Sequence, residues 1–206
     1  NFEGKLVGGF CIKADILTDR KEREYFLNVV SGLNCDMYWI YVDSINENSN
    51  VSQLYNYATA LLDLQKSTKK PVIAGRIGAF GLILLAFGLY AFESGVARFE
   101  SFYEDLYKDA NDKPYNMPIR YYMPELMKTV SIDRKNPIRI QQLLHSKVGK
   151  DITCHCPYCN GIEPTLLMNA PLTKRHFLYR RSEEIQLLRN ISTVDERVEY
   201  VKERVK

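Results

Sequence analysis

Residues 71–92 read Pro71-Val72-Ile73-Ala74-Gly75-Arg76-Ile77-Gly78-Ala79-Phe80-Gly81-Leu82-Ile83-Leu84-Leu85-Ala86-Phe87-Gly88-Leu89-Tyr90-Ala91-Phe92. Residues 71–75 form a short apolar strand, residues 80–88 an apolar helix, and residues 89–96 a further strand. Strand, helix and strand in that order make a βαβ unit with parallel strands. From Ile77 to Phe92 there is no charged residue. That run, interrupted by Gly78, Gly81 and Gly88, falls short of the roughly 20 residues a helix needs to cross a bilayer. A buried helix and strand are therefore expected, and no membrane span.

The same alternation runs upstream. Residues 6–12 read as a buried strand and residues 18–33 as a helix, with Phe26, Val29, Val30 and Leu33 at i, i+3, i+4 and i+7. Asp36-Met37-Tyr38-Trp39-Ile40-Tyr41-Val42-Asp43 is a second strand, followed by a polar loop over 44–50. A helix over 51–67 carries Leu54, Ala58, Leu61 and Leu62 on one face. After residue 96 another helix aligns Phe99, Phe102, Tyr103, Leu106 and Tyr107 on one stripe. Four such units approach half of an eight-stranded barrel. The expected class is α/β, a partial (β/α) TIM-type barrel over residues 1–115.

Beyond it the pattern changes. Residues 109–115 are a polar, proline-containing linker, and residues 119–130 are apolar without a clear period. Asn136-Pro137 reads as an N-cap with proline at N1, opening a helix that reaches His145. Residues 174–190 are helical, with Phe177, Arg181, Ile185 and Leu188 on one stripe. Thr193-Val194-Asp195-Glu196 has the capping-box form, and Val194, Val198, Val201 and Val205 line the last helix.

Between these helices lies Cys154-His155-Cys156-Pro157-Tyr158-Cys159, with His176 seventeen residues on. Three thiolates this close, with an imidazole one loop away, form a ligand set for tetrahedral zinc. His155 points away if both flanking cysteines bind, and His145 lies nine residues before the cluster, so His176 is the preferred fourth ligand. A redox or fortuitous cluster is the other reading; disulfides fit poorly, because cysteines two residues apart rarely reach bonding geometry. Residues 116–206 are thus expected to form a zinc-binding subdomain with carboxy-terminal helices, the zinc being structural.

The 206 residues are 26% charged and 46% hydrophobic, as in soluble globular proteins, and the net charge of +3 is too small to demand a polyanionic partner. Asn1-Phe2-Glu3-Gly4-Lys5 leads straight into a strand with no leader pattern and no initial methionine, as in a trimmed piece. Reduced cysteines and the missing leader pattern favour a cytoplasmic protein.

Parallel barrel strands, a C-x-C-x-x-C cluster and a histidine opening a long helix resemble the carboxy-terminal part of the tRNA-guanine transglycosylases. The relatives of that family exchange a purine base at an N-glycosidic bond in tRNA or DNA. Leu6-Val7-Gly8-Gly9-Phe10-Cys11-Ile12 is similar to the family's Gly-Gly strand, where backbone approaches the base. Residues 71–78 and 88–93 resemble its last two barrel strands, the final one ending in the catalytic carboxylate. The resemblance implies Glu93 as a covalent nucleophile and Gly8, Gly9 and Gly75 as substrate-binding residues; Arg76 and Arg98, at strand or loop ends near Glu93, are candidate substrate-binding residues for phosphate or ribose. It also implies a structural zinc on Cys154, Cys156, Cys159 and His176. Glu93 stands where the family has aspartate, Tyr90 replaces an acidic residue, and the strand 6–12 ends in Lys13-Ala14 rather than glycine-glutamate. The barrel half that bears the family's general base has no counterpart in these 206 residues.

Each residue also has a plainer reading. Glu93 is then a charge at a strand end, Gly8 and Gly9 allow a bulge or close packing, and Arg76 and Arg98 are solvated. Lys174, Arg175, Arg180 and Arg181 make the densest basic patch, either a phosphate contact or a solvated helix face. Tyr25, Tyr55, Tyr103 and Tyr107 read as core or rim. A second functional class fits the same residues: a noncatalytic, zinc-stabilised half-barrel that binds nucleic acid. Its open sheet edges call for a homodimer or a partner chain supplying the complementary half.

Overall fold

The computed structural model describes residues 4–46, 48–96, 102–103, 119–132, 142, 145–147, 154–162 and 170–205. They divide into two compact units. The described residues within Asn1–Gly95, Phe99–Ala110 and Thr193–Val198 form one, and those within Val96–Arg98, Asn111–Ser192 and Glu199–Lys206 the other.

The first unit runs β1 (Val7–Lys13), α1 (Ala14–Thr18), α2 (Arg20–Ser31), β2 (Met37–Asp43), α3 (Val51–Thr68), β3 (Val72–Gly75), α4 (Phe80–Ala86) and β4 (Ala91–Phe92). Its strands pair in the order β1-β2-β3-β4, each pair parallel, with Gly9 opposite Trp39, Tyr41 opposite Gly75 and Ala74 opposite Phe92. The chain is therefore a mixed α/β protein with a four-stranded parallel sheet. Among the described residues that sheet is open, with β1 and β4 at its edges, and forms no closed TIM-type barrel.

Alternation along β2 settles which face is covered. Tyr38, Ile40 and Val42 are buried, whereas Trp39 and Tyr41 on the other side are only partly so. The buried row joins Val72 and Ala74 of β3 against Leu17, Val30, Tyr57, Ala60, Leu61, Leu64 and Leu84 from the four helices. Each valine, isoleucine or leucine among them contributes about 1.5–3 kcal/mol when removed from water. The opposite face carries Trp39 and Tyr41 and, level with them, Ile73 and Gly75.

Local chemistry moved several boundaries. The helix expected over 18–33 is broken at Asp19, whose backbone is extended and whose carboxylate accepts from the Lys21 and Glu22 N–H groups, so that α2 starts afresh. The buried stripe of α2 is Phe26, Leu27 and Val30, while Val29 and Leu33 are exposed. The strand expected over 89–96 shrinks to Ala91–Phe92, because β3 ends at Gly75 and Arg76 turns away with φ +48°, after which the Ile77 N–H reaches the Glu93 carbonyl at 3.3 Å without extending the ladder. Phe102 and Tyr103 are described, but the helix expected around Phe99, Leu106 and Tyr107 lies outside the described residues, as do the linker over 109–115 and the Asn136-Pro137 helix start.

In the second unit, residues 119–130 resolve as a hairpin. β5 (Ile119–Met123) pairs antiparallel with β6 (Lys128–Ile132) through a 3-10 turn, Pro124–Leu126, closed by Met127 in the left-handed region. The helix α5 (Ala170–Asn190) packs on β5. The helix α6 (Val194–Val205), whose residues up to Val198 count with the first unit, begins at the expected capping box, where Thr193 Oγ1 donates to Glu196 Oε2 at 2.7 Å and the Glu196 N–H returns to Thr193 Oγ1 at 3.3 Å. Among the described residues no helix is long and apolar enough to cross a membrane.

Candidate metal centre and candidate active face

Period-two alternation along β5 sends Tyr121 and Met123 to one side, where they join Cys154, Cys156 and Cys159 in the small core of the second unit. The turn 156–160 is tight, with the Cys159 and Asn160 N–H groups both donating to the Cys156 carbonyl at 2.9 Å. His176, in α5, enters this core from the helix side and is 1% exposed.

The four ligand atoms of Cys154, Cys156, Cys159 and His176 all lie within 4.8 Å of one another, and all four residues are buried. His176 Nδ1 stands 3.4 Å from Cys156 Sγ and 3.2 Å from Cys159 Sγ. A tetrahedral ion with metal–sulfur bonds of about 2.3 Å and metal–nitrogen bonds of about 2.05 Å sets sulfur–nitrogen separations near 3.6 Å. The set therefore closes on one metal ion with little movement.

The second shell fixes the histidine. His176 Nε2 lies 2.6 Å from the Tyr122 carbonyl, and only a protonated Nε2 satisfies that acceptor, which turns the Nδ1 lone pair to the thiols. Tyr121 stacks flat on the imidazole, with ring centroids 4.6 Å apart and planes at 5°, and its hydroxyl reaches Cys159 Sγ at 3.5 Å. The Cys156 N–H donates to Cys154 Sγ at 3.3 Å. A hydrogen bond from Cys159, with His176 adding, holds the Cys154 thiol well below its ordinary range. Giving that bond, together with burial, pushes the Cys159 thiol up, and burial pushes Cys156 up. Packed without a cation, three thiolates cannot all be charged; a divalent ion removes that conflict.

Tyr121, the Tyr122 carbonyl and the hairpin had no sequence signal, because segment 119–130 shows no clean period. The basic patch dissolves on inspection. Arg181 is buried, with its guanidinium 4.7 Å from the Tyr122 ring centre and 5.2 Å from that of Phe177, and Arg180 pairs with Glu183 at 2.7 Å. Only Lys174 and Arg175 remain exposed. Tyr25, Tyr55 and Tyr103 are exposed, so they belong to the rim rather than the core.

Glu93 lies in the first unit, one residue past β4, where its N–H donates to the Ala74 carbonyl at 2.7 Å. Arg76 Nε faces Glu93 Oε1 at 3.4 Å, and both side chains are about 28% exposed. Glu93 Oε2 is buried and has no hydrogen-bond partner by distance and angle among the described residues. Gly75 admits the Tyr41 ring, which a Cβ would meet at 2.5 Å. Burial first, and then a hydrogen bond to the Glu93 carboxylate, raises the Tyr41 phenol above its ordinary value. Gly8 faces Phe10 and Cys35, with 3.1 Å and 3.2 Å to a virtual Cβ, so it serves packing against the helices; Gly9 faces open space. The structure thus brings Gly75, Arg76 and Glu93 together and sets Gly8 apart from them. Arg98 lies outside the described residues.

Compared with protein-family models, curated proteins and solved structures, the chain matches none.

Proposed function

We propose that this protein is a zinc-stabilised, transglycosylase-like enzyme that exchanges a purine base at an N-glycosidic bond in tRNA or DNA, with Glu93 as the nucleophile. The observation that carries the reading is the Glu93 carboxylate, set past the carboxyl end of a parallel strand with one oxygen beside Arg76 and the other buried without a partner. Parallel-barrel enzymes assemble their sites at that end of the strands. The strand order β1-β2-β3-β4 supports a barrel sector, since a doubly wound sheet reverses its order at a switch point. In such a sector the face bearing Trp39, Tyr41 and Glu93 is the interior.

Glu93 Oε2 attacks the anomeric carbon, the carbon–nitrogen bond breaks, and the sugar is held as an ester while the departing purine takes up a proton. An incoming purine loses its proton, attacks the same carbon and expels the carboxylate, so no water is consumed. Arg76, beside Oε1, aims Glu93. Cys154, Cys156, Cys159 and His176 would hold a zinc ion with every position filled by protein, and there it would act as a structural staple for a small core. A noncatalytic half-barrel that binds nucleic acid draws support from the Arg76–Glu93 pair, which also serves as a plain structural ion pair.

The test is incorporation of radiolabelled guanine into tRNA and into duplex DNA by zinc-loaded protein. Wild type incorporates label and Glu93→Gln loses at least a thousandfold; no incorporation by the wild type in either substrate rejects the enzyme.

A further inference from the structure

Trp39 is the single tryptophan of the chain, and its indole Nε1 is buried without a hydrogen-bond partner among the described residues. An N–H withdrawn from water with no acceptor costs about 1–3 kcal/mol, and native proteins keep few of them. Two orphans on the same face of the sheet are less expected still, and Glu93 Oε2 is the second. Trp39 stacks on Tyr41, with centroids 5.7 Å apart and planes at 20°, and Tyr41 packs on Phe102 at 5.4 Å. Glu93 follows Phe92, which pairs with Ala74, so it sits level with Gly75 and Tyr41. Trp39 lies one pleat back along β2. Two strand spacings and two residues of rise put Trp39 and Glu93 about 12 Å apart at their Cα positions, before either side chain extends. That span suits a nucleoside, with the sugar at Glu93 and the base over the aromatic pair.

We propose that Trp39 is the residue that selects the base: its indole N–H donates to an acceptor atom of a flat heteroaromatic ring, while Glu93 Oε2 is left for the sugar carbon. The proposal rests on the base-exchange reading and adds its specificity-determining group. A purine offers ring nitrogens and a carbonyl as acceptors on a stackable plane, whereas a sugar phosphate offers no such plane.

Trp39 reports on itself. Guanine added to the intact protein, with excitation at 295 nm, quenches Trp39 emission saturably, whereas ribose 5-phosphate leaves it unchanged. Glu93→Gln keeps the guanine affinity within about threefold, because the base, not the carboxylate, is held. Trp39→Phe keeps an aromatic ring at this position but removes the donor. By equilibrium dialysis with labelled guanine it binds about tenfold more weakly, the loss expected for one hydrogen bond, while its circular dichroism matches wild type. Absence of saturable quenching by guanine overturns the proposal, as does unchanged guanine affinity in a folded Trp39→Phe protein. Quenching without base incorporation leaves the Trp39 site standing and rejects the chemistry; incorporation that Trp39→Phe does not slow does the reverse.

Discussion

Replacing Gly75 by alanine tests the packing of the candidate active face. The new Cβ would lie 2.5, 2.6 and 2.8 Å from three ring carbons of Tyr41. Carbon atoms rest about 3.5–4.0 Å apart, so the ring has to retreat by about 1 Å. It has little room, because Trp39 stacks on it at 5.7 Å and Phe102 leans on it at 5.4 Å. Overpacking of this kind costs about 1–3 kcal/mol. A less flexible unfolded chain returns about 0.4–1 kcal/mol. The net expectation is a loss of about 1–2 kcal/mol, read by urea denaturation followed through Trp39 fluorescence, with a shifted native emission spectrum because the Trp39 stack moves. Gly9→Ala is the control: nothing lies within 4 Å of its virtual Cβ, and stability should stay within about 0.5 kcal/mol. A Gly75→Ala protein as stable as wild type, with unchanged Trp39 emission, would refute the packing argument.

Further expectations concern the core, the last helix and pH. The Tyr57 hydroxyl is fully buried without a partner, so Tyr57→Phe should raise the unfolding free energy by about 1 kcal/mol in the same urea assay. Thr193→Ala removes the two bonds made by the threonine hydroxyl, leaving the residue-193 N–H on Glu196 Oε2, and should cost about 1 kcal/mol, with reduced helical circular dichroism. Burial raises the Tyr57 and Tyr122 phenols above their ordinary value. Because the folded state holds those protons more tightly, their contribution is complete below the unfolded value near pH 10. Above it, stability falls by about 1.4 kcal/mol per pH unit for each of the two. Denaturation series from pH 9 to 11 check this, and Tyr57→Phe should flatten the slope by one tyrosine.

How much of this was legible in the sequence depends on how local the determinant was. The strands around Ile40 and Val72 and the helix over 51–68 were readable because burial imposes a period on each. The break at Asp19 and the turn at Arg76 were not, since each depends on one side chain or one dihedral angle rather than on a pattern. The cysteine spacing singled out three candidate ligands, and His176 was preferred once His155 and His145 were set aside. Its orientation did not, because the Tyr122 carbonyl and the Tyr121 ring come from a hairpin with no clean alternation. Glu93 was visible as a strand-end carboxylate. The orphaned Trp39 N–H and the role of Gly75 in admitting Tyr41 depend on register between strands more than 30 residues apart, which composition and period do not carry.

The metal centre is tested most directly by X-ray absorption together with metal analysis of the purified protein. The account predicts one zinc per chain with three sulfur ligands at about 2.3 Å and one nitrogen at about 2.0 Å, lost on Cys156→Ser. A metal-free protein that is folded and unchanged by chelator, or a zinc retained by the Cys156→Ser variant, would contradict it.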